Sequence, residues 1–176
     1  MRIPVPALAF VLGTGLVVTG QTPTSPEIQA QLERLFPDAA GFSPKEGSLP
    51  HYKVYGRAAA GEAPPLVGLA YWTTELEPLE RGYDGPIKML VGMSTTGILQ
   101  GVIVTEHREP YGDFSVDRPA FAAQFVDKNI RDPFRVGADI DAVSRATITI
   151  TSASRAVRNS SRRIARALLT PPGSPR

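Results

Sequence analysis

The sequence predicts an α+β fold: a single domain with a mostly antiparallel sheet packed against helices. Three observations predict it. Short runs of β-branched and aromatic residues, punctuated by Gly, Pro, Ser and Thr, occupy the middle of the chain. Segments near both ends instead place apolar residues at helical spacing. The 176 residues, 42% of them apolar, supply one ordinary domain with tails.

The elements follow in order. Arg2 precedes an apolar run over residues 5–18, in the length range of a secretory h-region and short for a spanning helix. Residues 1–20 are therefore expected to be an export signal or an uncleaved N-terminal anchor, placing the domain in the periplasm or elsewhere outside the cytoplasm. Val18, Thr19 and Gly20 are small enough for cleavage, and with no cysteine there is nothing to lipidate. Residues 21–34 read as a polar linker entering a helix, with Ser25 as the cap and Pro26 at the first helical position. Ile28, Leu32, Leu35 and Phe36 form its core-facing stripe, and Pro37 ends it. Tyr52, Val54 and Tyr55 predict one strand and residues 66–72 another, across an Ala/Gly/Pro-rich turn. Trp72 is a core or rim residue, with stacking near a ring as the lesser alternative. Strands over 87–93 and 98–105 form a hairpin through Ser94, Thr95, Thr96 and Gly97.

Residues 106–117 read as a loop, from their charges with Pro110 and Gly112. Asp117, Arg118 and Pro119 open a second helix running to about Lys128, with Phe121 and Phe125 on one face. The last helix is amphipathic: Val157, Ile164 and Leu168 share one face, and Arg155, Arg158, Arg162 and Arg166 the other. That arginine face is expected to point outward, as a solvated surface or as a docking surface for an acidic redox partner or anionic lipid. The domain is expected over 35–169, with 170–176 a disordered tail.

Composition excludes several functions. A formal net charge of +2 is near balance, and with no nucleic-acid motif visible no nucleic-acid partner is expected. With no cysteine there is no disulfide, thiolate metal site, cysteine-held iron–sulfur cluster or covalent haem attachment. The two histidines, His51 and His107, are far apart in sequence and form no metal motif. Any redox role must therefore come from an organic cofactor, and no catalytic acid or base is assigned.

The most informative segment is Asp141-Ala142-Val143-Ser144-Arg145-Ala146-Thr147-Ile148-Thr149, which leads into the last helix. A threonine hydroxyl can carry a phosphoester, and a helix start offers free N–H groups and partial positive charge to phosphate oxygens. Such hydroxyl-rich junctions also arise simply as caps and turns. The segment resembles the attachment motif of the covalent FMN-binding domain family: Asp, two variable residues, Ser or Thr, usually Gly, then Ala-Thr. Gly82-Tyr83-Asp84-Gly85-Pro86-Ile87 and the two hairpin strands resemble the same family, in the same order. Glu106-His107-Arg108-Glu109-Pro110 is similar to the form in the nitrous oxide reductase accessory regulator. Domains of the Rnf complex and the sodium-translocating NADH:quinone reductase instead carry Glu-Thr-Pro-Gly after the histidine, of which Glu109 remains here.

The resemblance implies FMN held covalently by a phosphoester to Thr147 and attached by an FAD-dependent flavin transferase. Asp141, Ser144, Arg145, Ala146, Ile148 and Thr149 would surround the attachment point, with His107 and Glu109 beside the flavin. Arg145 departs from the family's usual glycine. If accommodated, its guanidinium can pair with the flavin phosphate; if not, Thr147 stays unmodified. The implied function is an exported electron carrier exchanging electrons with membrane or periplasmic redox proteins. The alternatives are a flavin-free binding or regulatory module of the same fold, or, less favoured, a substrate-reducing flavoenzyme.

Overall fold

The computed structural model describes residues 24–169. The expected leader and tail lie outside the described residues, among which no helix is long and apolar enough to cross a membrane. The elements are α1 (Pro26–Leu35), β1 (Gly41–Phe42), β2 (Tyr52–Tyr55), β3 (Leu66–Trp72), α2 (Thr73–Leu76), β4 (Lys88–Ser94), β5 (Leu99–Glu106), α3 (Pro119–Ala123) and α4 (Thr147–Leu168). The five strands form one antiparallel meander, β1-β2-β3-β4-β5, so the α+β fold is observed.

Helices cover both faces of the sheet, and the alternation of side chains along the strands sorts the core into two layers. Leu69 and Tyr71 of β3, with Met89, Val91 and Met93 of β4, pack with Ile150, Ala153, Val157 and Ile164 of α4. Ala70, Trp72 and Leu90 point the other way and pack with Leu32, Leu35 and Phe36. Trp72 thus belongs to the core on the α1 side, with the Lys88 ammonium 5.0 Å from its ring centroid. Two glycines admit the Phe36 ring on that face. A Cβ on Gly68 would lie 2.7 Å from Phe36 Cε1, and one on Gly92 2.8 Å from Phe36 Cε2.

Ser25 caps α1 by accepting the Ile28 N–H at 3.3 Å, ahead of proline at the first position. On the α4 side, the buried Tyr71 hydroxyl donates to Ser161 Oγ at 2.7 Å, tying sheet to helix. Burial pushes this phenol well above the usual tyrosine range, and the Ser161 bond only partly opposes the shift.

Three expectations are corrected. The second helix stops at Ala123 rather than about Lys128. Asp127 adopts φ +61°, and the chain turns so that Asp127 N–H donates to Leu99 O while Leu99 N–H donates to Lys128 O. Pairing with the start of β5 thus overrides the helical pattern. Leu168, expected on the buried stripe, is exposed in the last turn of α4. The arginine face is not uniformly free: Arg162 donates to the carbonyls of Ile130 (2.6 Å) and Asp132 (2.8 Å), and Arg155 pairs with Glu80 at 2.6 Å. These arginines hold loops against α4.

Candidate cofactor site

Three segments converge on the N-terminal end of α4: the loop between α2 and β4, the connection leaving β5, and the turn feeding α4 itself. The first is fastened to α4 at two points. Glu80 accepts from Arg155 and from Ser152 Oγ (2.7 Å), while Ser152 Oγ also donates to Arg81 O at 2.5 Å. The second point is Glu109, which is only 6% exposed.

Glu109 accepts the Tyr83 N–H through Oε2 and the Asp84 N–H through Oε1, both at 3.0 Å, and Oε2 also accepts from the Thr149 hydroxyl. Burial alone would raise its pKa. The bonds from Thr149, Asp84 and Tyr83, helped by nearby His107, outweigh burial and hold the carboxyl below its usual range. Gly82 is needed for this approach, since a Cβ there would fall 2.4 Å from Glu109 Oε1.

His107 supports the same connection. Its Nδ1 accepts the Glu109 N–H at 3.1 Å, which leaves Nε2 as the protonated nitrogen, donating to Asp117 Oδ1 at 2.8 Å. Both ring nitrogens are therefore engaged. The 3-10 turn at Gly112–Phe114 passes so close that a Cβ on Gly112 would sit 2.1 Å from His107 Cε1. This His–Asp pair orients a loop; its Nδ1 is not placed to take a proton from a nucleophile.

The third segment holds the attachment motif. Ala146 N–H donates to Val143 O at 3.1 Å, closing a turn in which Arg145 takes φ +67°. That is the left-handed region favoured by glycine, so the arginine adopts glycine-like geometry rather than distorting the turn. Ala146 is the N-cap of α4 and supplies no side-chain acceptor to the first turn. Thr147 is the first helical residue, so the helix begins at the motif threonine rather than beyond it.

The two threonines differ sharply. Thr149 is buried, its hydroxyl donated to Glu109. Thr147 is exposed, and its hydroxyl makes no hydrogen bond within the described residues.

Between the segments lies a cleft of about 330 Å³, within the size range of small-molecule sites. Tyr83 from the first segment, Pro110 and Tyr111 from the second, and Arg145 with residues 147–149 from the third line it. Of the residues expected around the flavin, Arg145, Thr147, Ile148 and Thr149 are brought together there. Glu109 and His107 lie outside the lining: Glu109 is buried and bonded to the cleft residue Thr149, and His107 orients Glu109. Ala146 is buried, while Ser144 and Asp141 are exposed outside the lining, Asp141 through its N–H bonding Gln124 Oε1 at 2.6 Å. Tyr83, Pro110 and Tyr111 were not anticipated as site residues. Their signal was adjacency, since Tyr83 follows Gly82 and Pro110 follows Glu109. A larger groove of about 460 Å³ runs along β5 beside Arg34 and α3, but holds none of the motif residues.

A cation, a helix start without a side-chain cap, a free hydroxyl and two aromatic rings suit a ligand that is both phosphorylated and aromatic. Fold and cleft together define a small α+β domain with a cleft at the N-terminal end of α4. The sequence model of the FMN-binding domain family matches residues 82–162, which supports placing this domain with that family. The match begins at Gly82, within the loop between α2 and β4, and spans β4, β5, the connection leaving β5 and α4 as far as Arg162. No curated protein matches the chain.

Proposed function

We propose that this chain is an exported electron-transfer flavoprotein with FMN joined to Thr147 through a phosphoester. One observation carries the reading. Within the family match, the motif threonine is the first residue of α4, exposed in the cleft and free of competing hydrogen bonds, whereas Thr149 is occupied by Glu109. FMN, when bound, supplies one- and two-electron redox chemistry.

The attachment balances with FAD as donor. The Thr147 Oγ–P bond forms as the pyrophosphate bond of FAD breaks, AMP leaves, and the hydroxyl proton passes to a base of the flavin transferase. The transferase needs an accessible hydroxyl, which exposed Thr147 offers. The protein's own groups then hold the phosphate end: first-turn N–H groups and the α4 dipole favour an anion at this position. The Glu109 carboxylate keeps the Tyr83 loop in place as a wall of the cleft. A covalent tether suits an extracytoplasmic protein because the cofactor cannot dissociate into the medium. Membrane or periplasmic redox proteins are the proposed electron partners.

The test is the intact mass of denatured protein exported from cells that also make a flavin transferase, for wild type and Thr147→Ala. The reading predicts a gain of one FMN less water in wild type, with flavin fluorescence surviving denaturation and both absent from Thr147→Ala. An unmodified wild type, beside a related domain labelled in the same cells, would refute it and leave a flavin-free module of the same fold.

A further inference from the structure

We infer that Arg145 is an anion-pairing residue that holds the phosphoester at Thr147 and favours phosphate-bearing over phosphate-free ligands in the cleft; this rests on the attachment proposed above. Arg145 stands two residues from Thr147 and lines the same cleft. It is exposed and makes no hydrogen bond or ion pair within the described residues. Two arginines along α4 differ: Arg155 and Arg162 are committed to a carboxylate and to loop carbonyls. Arg145 is thus a cation left available inside the cleft.

The backbone sharpens the point. With φ +67°, the position is one where glycine is unstrained and an L side chain is disfavoured. The turn does not depend on the side chain, because it closes through Ala146 N–H and Val143 O. Stability gives no reason for an arginine here, whereas a phosphodiester on Thr147 does. Such a phosphodiester would carry one negative charge, to which the flexible Arg145 guanidinium of the same cleft would donate up to two hydrogen bonds.

The experiment compares the thermal midpoint of apo and FMN-loaded protein for wild type, Arg145→Lys, Arg145→Gln and Arg145→Gly, at low and high salt. Loading is scored by intact mass, independently of electron transfer. Wild type should gain more on loading than Arg145→Gln or Arg145→Gly, by about 2–4 °C for a domain of this size. Arg145→Lys should retain part of that excess, and the excess should shrink in about 1 M salt. Equal gains in all four loaded proteins overturn the inference while leaving the attachment reading intact. Wild type that takes up no FMN overturns both. Arg145→Gln failing to load while Arg145→Lys loads supports the pairing; Arg145→Gly loading more completely than wild type overturns it.

Discussion

Replacing Glu109 with glutamine probes the device that holds the cleft together. The carboxylate accepts three hydrogen bonds, from Tyr83 N–H, Asp84 N–H and the Thr149 hydroxyl. Glutamine offers one carbonyl oxygen. Its best orientation puts that oxygen where Oε2 lies, keeping Tyr83 and Thr149, and turns the amide N–H groups toward Asp84 N–H. A buried donor then faces a donor, at about 1–3 kcal/mol, and the two remaining bonds lose charge assistance at roughly 0.5–1 kcal/mol each. Partial relaxation of the loop offsets some of this, so the expected loss is about 2–4 kcal/mol.

Urea denaturation measures that loss as a lower midpoint with unchanged slope. Hydrogen exchange at Tyr83 and Asp84 should accelerate more than exchange in β4. The pH dependence provides a second reading. Because folding lowers the Glu109 pKa, its contribution is present at neutral pH and disappears as pH falls from the usual carboxylate range through the lower folded value. Wild type should therefore lose more stability than Glu109→Gln over that acid interval. Asp139 and Glu46, also held below their usual ranges, leave the variant a residual acid slope. A change below about 0.5 kcal/mol, within the range of ordinary surface substitutions, or an acid slope equal to wild type, would refute the assigned role.

Other perturbations test the frame around the cleft. Gly68→Ala drives a Cβ to 2.7 Å from Phe36 Cε1 and 2.8 Å from Met93 O, and the backbone oxygen cannot easily yield; a loss of about 1–3 kcal/mol is expected in urea melts. Tyr71→Phe removes the hydroxyl donated to Ser161, which keeps its own bond to Val157 O at 2.6 Å; the expected loss is about 0.5–1.5 kcal/mol. Arg155→Ala frees Glu80 from its ion pair; the effect on global stability should stay within about 1 kcal/mol given Arg155's exposure, while exchange in the loop between α2 and β4 rises. Thr147→Val should leave the urea midpoint of the apo protein unchanged within about 0.5 kcal/mol, because that hydroxyl makes no bond in the fold.

The sheet was legible because its strands are short, β-branched and separated by turn residues; the β4–β5 hairpin was placed to within one residue at each end. The helix through residues 119–128 failed because no local pattern reveals that Leu99 recruits Asp127 and Lys128. Likewise, Leu168 is exposed in the last turn of α4, an outcome that helical periodicity does not encode. At the site, the threonine motif was readable because the relevant residues are contiguous. The walls were not, since the loop carrying Tyr83 is held at the cleft by Glu109, whose three donors lie 25 or more residues away in sequence. The glycine-like conformation of Arg145 shows the same limit: sequence marks an arginine at a glycine position, and only the backbone shows how it is accommodated.

The most direct test of the central claim is the location of the modification. Trypsin should release residues 146–155 between Arg145 and Arg155, a peptide carrying Thr147, Thr149 and Thr151. Electron-transfer fragmentation of that peptide from the flavin-loaded protein should assign the added FMN mass to Thr147. The mass on Thr149, on Thr151, on a serine of the same peptide, or on another peptide altogether would contradict the account.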